Sequence, residues 1–326
     1  MDKRLVEQLE AFMKKIILVL ICFIVITGCS ENKENLKFAT GSTGGTYYPL
    51  GSAIAELLTD ESDLTVNAYT GNASVSNTRM LNEELIDMAL VQSNVAEWAI
   101  KGIGSFEDDP IDSITGIASL YSEVIQIIVR EEADIETFYD LKGKRVSVGQ
   151  KDSGNYFDAI NLFEAHGMSL EFVEPYYLTF SEAIESMDKG DLDAVFITSG
   201  IPTSSVSLMS SKVKINMLSI EDIILSKMIK DYPFYTREIV PANTYIGQVN
   251  DKITLSTRAL WICHESLDEE IVYDMLDSFW THYDRLNDVH KNALELSIDG
   301  ALKGMSIPLH PGAVKYYKEH GLEVQD

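Results

Sequence analysis

The chain has 326 residues and a formal net charge of −25, from 26 Lys and Arg against 51 Asp and Glu. Such acidity argues against nucleic acid as a partner, because phosphate binding rests on clustered Lys and Arg. It does not require a cationic ligand, since a buried site answers to its local dipoles. Three cysteines cannot form a disulfide scaffold, and the length is enough for two medium lobes.

In chain order, the first signal is a short basic stretch, Met13-Lys14-Lys15, followed by an apolar run from Ile16 to Ile26. The run is too short for a comfortable membrane span and fits the hydrophobic region of a signal peptide. Its end, Ile26-Thr27-Gly28-Cys29, resembles a bacterial lipobox, which would make Cys29 the lipidated first mature residue. Residues 1–28 are therefore expected to be a signal peptide, with residues 1–12 before Met13 reading as an over-long gene start. Residues 29–35 are a polar tether between lipid and fold. Removing residues 1–28 leaves 22 basic against 48 acidic residues, a mature charge of −26. Cys22 leaves with the signal and Cys29 takes lipid, so Cys263, inside Ala259-Leu260-Trp261-Ile262-Cys263, reads as a small core hydrophobe.

The mature chain alternates strands with helices. Phe38-Ala39-Thr40 reads as a strand end that breaks at Gly41-Ser42-Thr43-Gly44-Gly45-Thr46 into a helix running to Leu58. A strand follows at Leu64 to Tyr69, a helix at Ser76 to Glu84, a short buried strand at Met88 to Val91, and a helix from near Asn94. Ile114 to Arg130 is a long β-like run. Beyond it come strands at Arg145 to Gly149, Glu171 to Val173 and Ala194 to Ile197, with helices at Tyr156 to His166 and Ser181 to Lys189. A second long β-like run occupies Lys252 to His264, and the tail from Leu267 reads as helical. This alternation predicts an α/β fold with largely parallel sheets. Two long runs flanking a compact α/β stretch predict two crossings. Residues 36–120 and 250–326 would form lobe I, and residues 121–249 lobe II.

In open α/β sheets, ligands bind where strand-to-helix turns converge at the carboxyl ends of strands. Five turns share small residues and hydroxyls or amides: Ser42 to Tyr47, Thr70 to Val75, Gln92-Ser93-Asn94, Asp152 to Asn155 and Thr198 to Thr203. Each alone is also what ordinary helix capping looks like. Together they describe a site of neutral donors and free N–H groups, suited to a small anionic or zwitterionic solute. No Lys follows the first glycines, so the turn is not a nucleotide-binding P-loop.

The same residues carry a resemblance. Gly41 to Pro49, Gly71 to Asn77, Leu90 to Asn94, Ser153-Gly154, Phe196 to Thr203 and Ile239 to Tyr245 lie in the order of the TAXI family. These are the solute-binding proteins of tripartite ATP-independent periplasmic (TRAP) transporters. The resemblance spans essentially the whole mature chain. It implies a type II periplasmic-binding-protein-like fold, with two α/β lobes around a central cleft. It also implies capture of a small organic acid or amino acid, glutamate- or 2-oxoglutarate-like, and its delivery to a sodium-driven membrane permease.

Carried over residue by residue, Thr43, Gly44, Gly45, Thr46 and Tyr47 would hold a carboxylate. Asn72, Ser74, Gln92, Ser93 and Asn94 would add polar contacts from the same lobe. Ser153, Gly154, Asn155, Thr198 and Gly200 would close from the other. Asn94 stands where the family often has Asp, and Asn155 where Thr is common. The first exchange would relax a preference for an ammonium group. Tyr235 is read either as a pocket wall or as core packing. Arg79 and Arg258 are read as surface or ion-pair residues. A sensing role, with a membrane receptor in place of a permease, stays open.

An enzyme would need a nucleophile–base or metal constellation. Gly-x-Ser-x-Gly, His-Glu-x-x-His and paired cysteines are absent from the sequence. The six histidines are scattered, with surface or helix-end roles expected. No metal or cofactor is expected.

Overall fold

The computed structural model describes residues 34–71 and 74–324. The signal peptide, Cys29 and most of the tether therefore lie outside the described residues, as does Asn72.

Among the described residues, a mixed sheet of ten strands organises the fold. Chain order begins β1 (Glu34–Ala39), α1 (Tyr47–Glu61), β2 (Leu64–Tyr69), α2 (Ser74–Asn82), β3 (Met88–Gln92), α3 (Ser93–Lys101) and β4 (Ile114–Arg130). It continues β5 (Arg145–Ser147), α4 (Gly154–Ala165), β6 (Glu174–Tyr176), α5 (Phe180–Lys189), β7 (Ala194–Ser199) and α6 (Ser204–Lys212). The last elements are β8 (Ile215–Met217), α7 (Asp222–Asp231), β9 (Thr236–Val240), β10 (Lys252–His264), α8 (Glu269–His282) and α9 (Pro311–Glu319).

The main path through the sheet is β2-β1-β3-β10-β4-β7-β5-β6, with β8 and β9 pairing onto β4 and β10. The pairs β1–β3, β5–β6 and β5–β7 are parallel. The central pairs β3–β10, β10–β4 and β4–β7 are antiparallel. This is the α/β periplasmic-binding-protein-like fold. Strands β4 and β10 are almost continuously buried, since helices and loops cover both their faces, and such strands lose the alternating pattern.

The long strands carry two hydrophobic ends. Ile117, Ala118, Leu120 and Tyr121 of β4 pack with β1 and α1 residues such as Phe38, Leu50 and Ile54. Ile125, Ile127 and Val129 of the same strand pack with Val146, Phe163 and Phe196. The change of partner falls between Tyr121 and Val124. On β10 it falls between Leu255 and Ala259.

Local signals explain most helix limits. A capping box of Thr179 and Glu182 starts α5, and left-handed Gly190 ends it. Gly102 closes α3 in the same way, its N–H donating to the Ala99 and Trp98 carbonyls.

Three expectations are corrected. The sheet is mixed and not largely parallel, because the long strands β4 and β10 run antiparallel to each other and to their neighbours β7 and β3. The strand placed at Glu171 to Val173 is a 3-10 turn, Leu170–Phe172, and the strand starts at Glu174. The Ser169 hydroxyl accepts from the Glu171 N–H and turns the chain, and parallel pairing with β5 begins only where Glu174 meets Arg145. The tail after Leu267 is helical at α8 and α9, but 3-10 turns and loops separate them, including Tyr283–Asp288 and Lys291–Glu295.

Candidate functional site

Three strand ends and four helix starts converge on one cavity. Its wall includes Gly41, Ser42, Gly45, Thr46 and Tyr47 from the β1–α1 turn, Ser74 of α2 and Gln92 at the end of β3. Glu123 from the middle of β4, Gln150, Ser153, Gly154 and Asn155 around the start of α4, and Thr198 and Ser199 ending β7 complete the polar lining. Leu178, Thr179 and Phe180 close one side. About 60 Å³ inside is reachable by the centre of a water molecule.

The first turn is shaped locally: the Gly45 N–H donates to the Ser42 carbonyl at 3.2 Å. Helix α1 then begins without a side-chain cap. Its first N–H groups lack intrahelical partners and carry the positive end of the helix dipole. Helix α4 is capped by Ser153, whose hydroxyl accepts from the Tyr156 N–H. Both helices, 15 and 12 residues long, start beside the cavity.

Contacts reach across from one side to the other. Thr46 N–H donates to Ser199 Oγ at 3.3 Å, and the two hydroxyls lie 3.1 Å apart. Ser205 N–H donates to the Gly44 carbonyl at 3.3 Å. Gln92 Nε2 and Asn94 Nδ2 donate to the two oxygens of Asp158 on α4, at 3.0 and 3.2 Å. Gln92 and α4 approach so closely that a Cβ added at Gly154 would stand 1.2 Å from Gln92 Oε1.

Two buried carboxyls set the electrostatics. Burial pushes Glu123 up from 4.5 to about 8, although the Tyr47 hydroxyl, donating at 2.5 Å, opposes the rise. Burial also raises Asp158, against donation from Tyr235 at 2.6 Å and from Gln92. Among the described residues, no Lys or Arg stands in the cavity wall. Arg258 is held nearby by the hydroxyls of Ser119 and Ser122, and Glu295 lies 3.9 Å from it. Among the described residues, no group of three or more His, Cys, Asp or Glu could hold a metal ion.

The profile of the NMT1-like family matches residues 38–321, nearly the whole described chain. The chain belongs to the NMT1-like family. Solved structures show a more distant similarity. The periplasmic aliphatic sulphonate binding protein SsuA from Escherichia coli is 16% identical, with 89% of this chain and 84% of that one covered and a TM-score of 0.45. A substrate-binding protein of an amino acid ABC transporter is 11% identical over 80% and 98%, with a TM-score of 0.48. A putative L-cystine ABC transporter protein from Listeria monocytogenes is 12% identical over 80% and 95%, with a TM-score of 0.44.

In this NMT1-like protein, nine of the expected site residues line the cavity: Gly45, Thr46, Tyr47, Ser74, Gln92, Ser153, Gly154, Asn155 and Thr198. The side chain of Asn155 is already committed. It donates to the Phe196 carbonyl and accepts from the Thr198 N–H, tying α4 to β7. Thr198 Oγ1 is buried and has no hydrogen-bond partner among the described residues.

Others lie elsewhere. Thr43 is exposed, and Gly44 packs against Phe180 and Ser205. Ser93 shares a 2.7 Å hydroxyl contact with Thr257. Gly200 abuts Asn292. Asn94 and Tyr235 stand behind the wall, both on Asp158, so the Asn94 exchange acts on that carboxyl and not on the cavity directly. Arg79 is exposed and donates to the Ser105 carbonyl. His166 closes one helix and His310 opens another, and both are buried and not at the surface.

The expected site of neutral donors lacked its acid. Glu123 is the one charged residue between Ile114 and Val129, and that isolation was its visible signal.

Proposed function

We propose that this protein captures a small solute outside the cytoplasm and hands it to a membrane transporter, acting by binding and not by catalysis. The observation that carries this reading is the cavity between the starts of α1 and α4, with polar side chains meeting across it from both ends of the sheet. Those helix starts would hold a carboxylate or similar anion, and Thr46, Ser74, Gln92, Ser153 and Thr198 would orient the rest. Membership of the NMT1-like family and the periplasmic-binding-protein-like fold support the same reading.

The finer reading rests on the residue motifs. They favour a TAXI-type protein serving a sodium-driven TRAP permease, with Cys29 anchoring it to the membrane by lipid. The solute would be a small organic acid or amino acid. Residues 36–120 and 250–326 would move against residues 121–249, closing on the solute. Strands β4 and β10 are the natural hinges, since each changes core partners midway.

The test is thermal melting of purified protein against dicarboxylates, amino acids and keto acids. A solute at 100 times its dissociation constant adds about 2.7 kcal/mol of stability, a readily visible shift. Small-angle scattering with that solute should show compaction. A folded protein that no solute stabilises, and that carries none by native mass spectrometry, would refute capture.

A further inference from the structure

Glu123 is hard to explain as packing. It is 3% exposed, midway along a strand otherwise uncharged up to Val129, opposite Thr257 of β10. A leucine or glutamine would fill this place without the cost of desolvating a carboxyl. Among the described residues, its carboxyl receives one hydrogen bond, from Tyr47 to Oε2, and stands in no ion pair. Arg258, whose charge opposes the rise at Glu123, is engaged with Ser119 and Ser122. The remaining oxygen, Oε1, belongs to a residue of the cavity wall. Across the same cavity stand the starts of α1 and α4.

Building on the capture reading, we propose that Glu123 receives a protonated amine of the solute while the helix starts hold its carboxylate. The structure thus selects a small zwitterion over the corresponding deaminated acid. The groups facing Glu123 are Tyr47 of α1, Tyr121 of β4, Asp158 of α4 and Arg258 of β10, with Glu295 behind Arg258. None of them supplies a second cation. In the free protein, burial keeps the Glu123 carboxyl protonated at neutral pH. To accept an ammonium, it must lose that proton to solvent while the amine keeps its own. Binding therefore releases a proton, whereas a keto acid would instead accept a hydrogen bond from the neutral carboxyl and release none.

The experiment is calorimetric titration of the purified protein with matched pairs: L-alanine and pyruvate, L-leucine and 4-methyl-2-oxopentanoate, L-glutamate and 2-oxoglutarate. Each is run near pH 6.5 in two buffers of different ionisation heat. We expect an amino acid to release close to one proton near pH 6.5 and, with the pairs repeated at pH 8.5 where Glu123 is already ionised, to bind at least about tenfold tighter than its keto acid, the scale of one charge-assisted hydrogen bond. Glu123→Gln should remove that preference and the proton release. The proton count on the unaltered protein decides the matter even if the variant folds poorly. A keto acid bound equally or better at pH 8.5, or an amino acid bound without proton release near pH 6.5, overturns the assignment to Glu123 and leaves solute capture standing. A co-purified solute lacking an amine does the same. No binding by any member, with folded protein free of co-purified solute, overturns both readings.

Discussion

Replacing Glu123 by Gln should change how stability depends on pH, independent of any solute. In the folded chain the carboxyl is pushed up from 4.5 to about 8. Below pH 4.5 the folded and unfolded chains both hold this proton, so the group costs nothing. Between pH 4.5 and 8 only the folded chain holds it, so stability falls as pH rises, at about 1.4 kcal/mol per pH unit. Above pH 8 the loss is complete, at about 5 kcal/mol over the window. Glutamine keeps the shape and the hydrogen bond from Tyr47 but cannot ionise. Its stability curve should therefore separate from that of the natural chain by about 5 kcal/mol across the same window. Urea denaturation of solute-free protein at several pH values measures this. With a slope of about 3 kcal/mol per molar, the midpoints should diverge by roughly 1.6 M. Asp158 titrates in both proteins and largely cancels in the difference. Parallel curves would show that Glu123 ionises normally, with water or a cation reaching it.

Three further predictions concern the wall and its support. Gln92→Ala should destabilise the protein by about 1–3 kcal/mol, since it removes a donor from a buried carboxylate; unchanged denaturation would mean the Gln92–Asp158 contact is not made in solution. Tyr235→Phe should cost a similar ~1–3 kcal/mol and push Asp158 higher still, because the ring is kept while the 2.6 Å hydroxyl donor is lost; a carbon-13 titration of the aspartate carboxyls reads both states. Gly154→Ala places a methyl where Gln92 Oε1 stands, so solute affinity should fall by roughly tenfold, about 1.4 kcal/mol, although alanine favours helices. Undiminished affinity in titration calorimetry would show that Gln92 moves aside freely.

Several features of this protein were already set by local chemistry. The runs Ile114–Arg130 and Lys252–His264 are strands with those limits, because a long apolar, β-branched stretch has no other way to bury both its faces. Thr179 with Glu182, and the glycines at 102 and 190, fix helix ends through bonds within a few residues. The turns at Gly45 to Tyr47, Gln92 and Ser153 to Asn155 were legible as wall because small polar residues at strand-to-helix junctions meet at one edge of such a sheet.

Only the tertiary structure decided what faces what. Nothing near Glu123 in sequence says that Tyr47, 76 residues earlier, donates to it. Asp158 looks like any polar residue of a helix until Gln92, Asn94 and Tyr235 arrive from distant elements to surround it. Asn155 and Asn94 bear amides suited to a ligand, yet the fold directs the Nδ2 of each at its own groups, the Phe196 carbonyl and the Asp158 carboxyl. A carboxyl's charge state depends on what excludes water from it, and that enclosure is assembled from segments far apart in the chain.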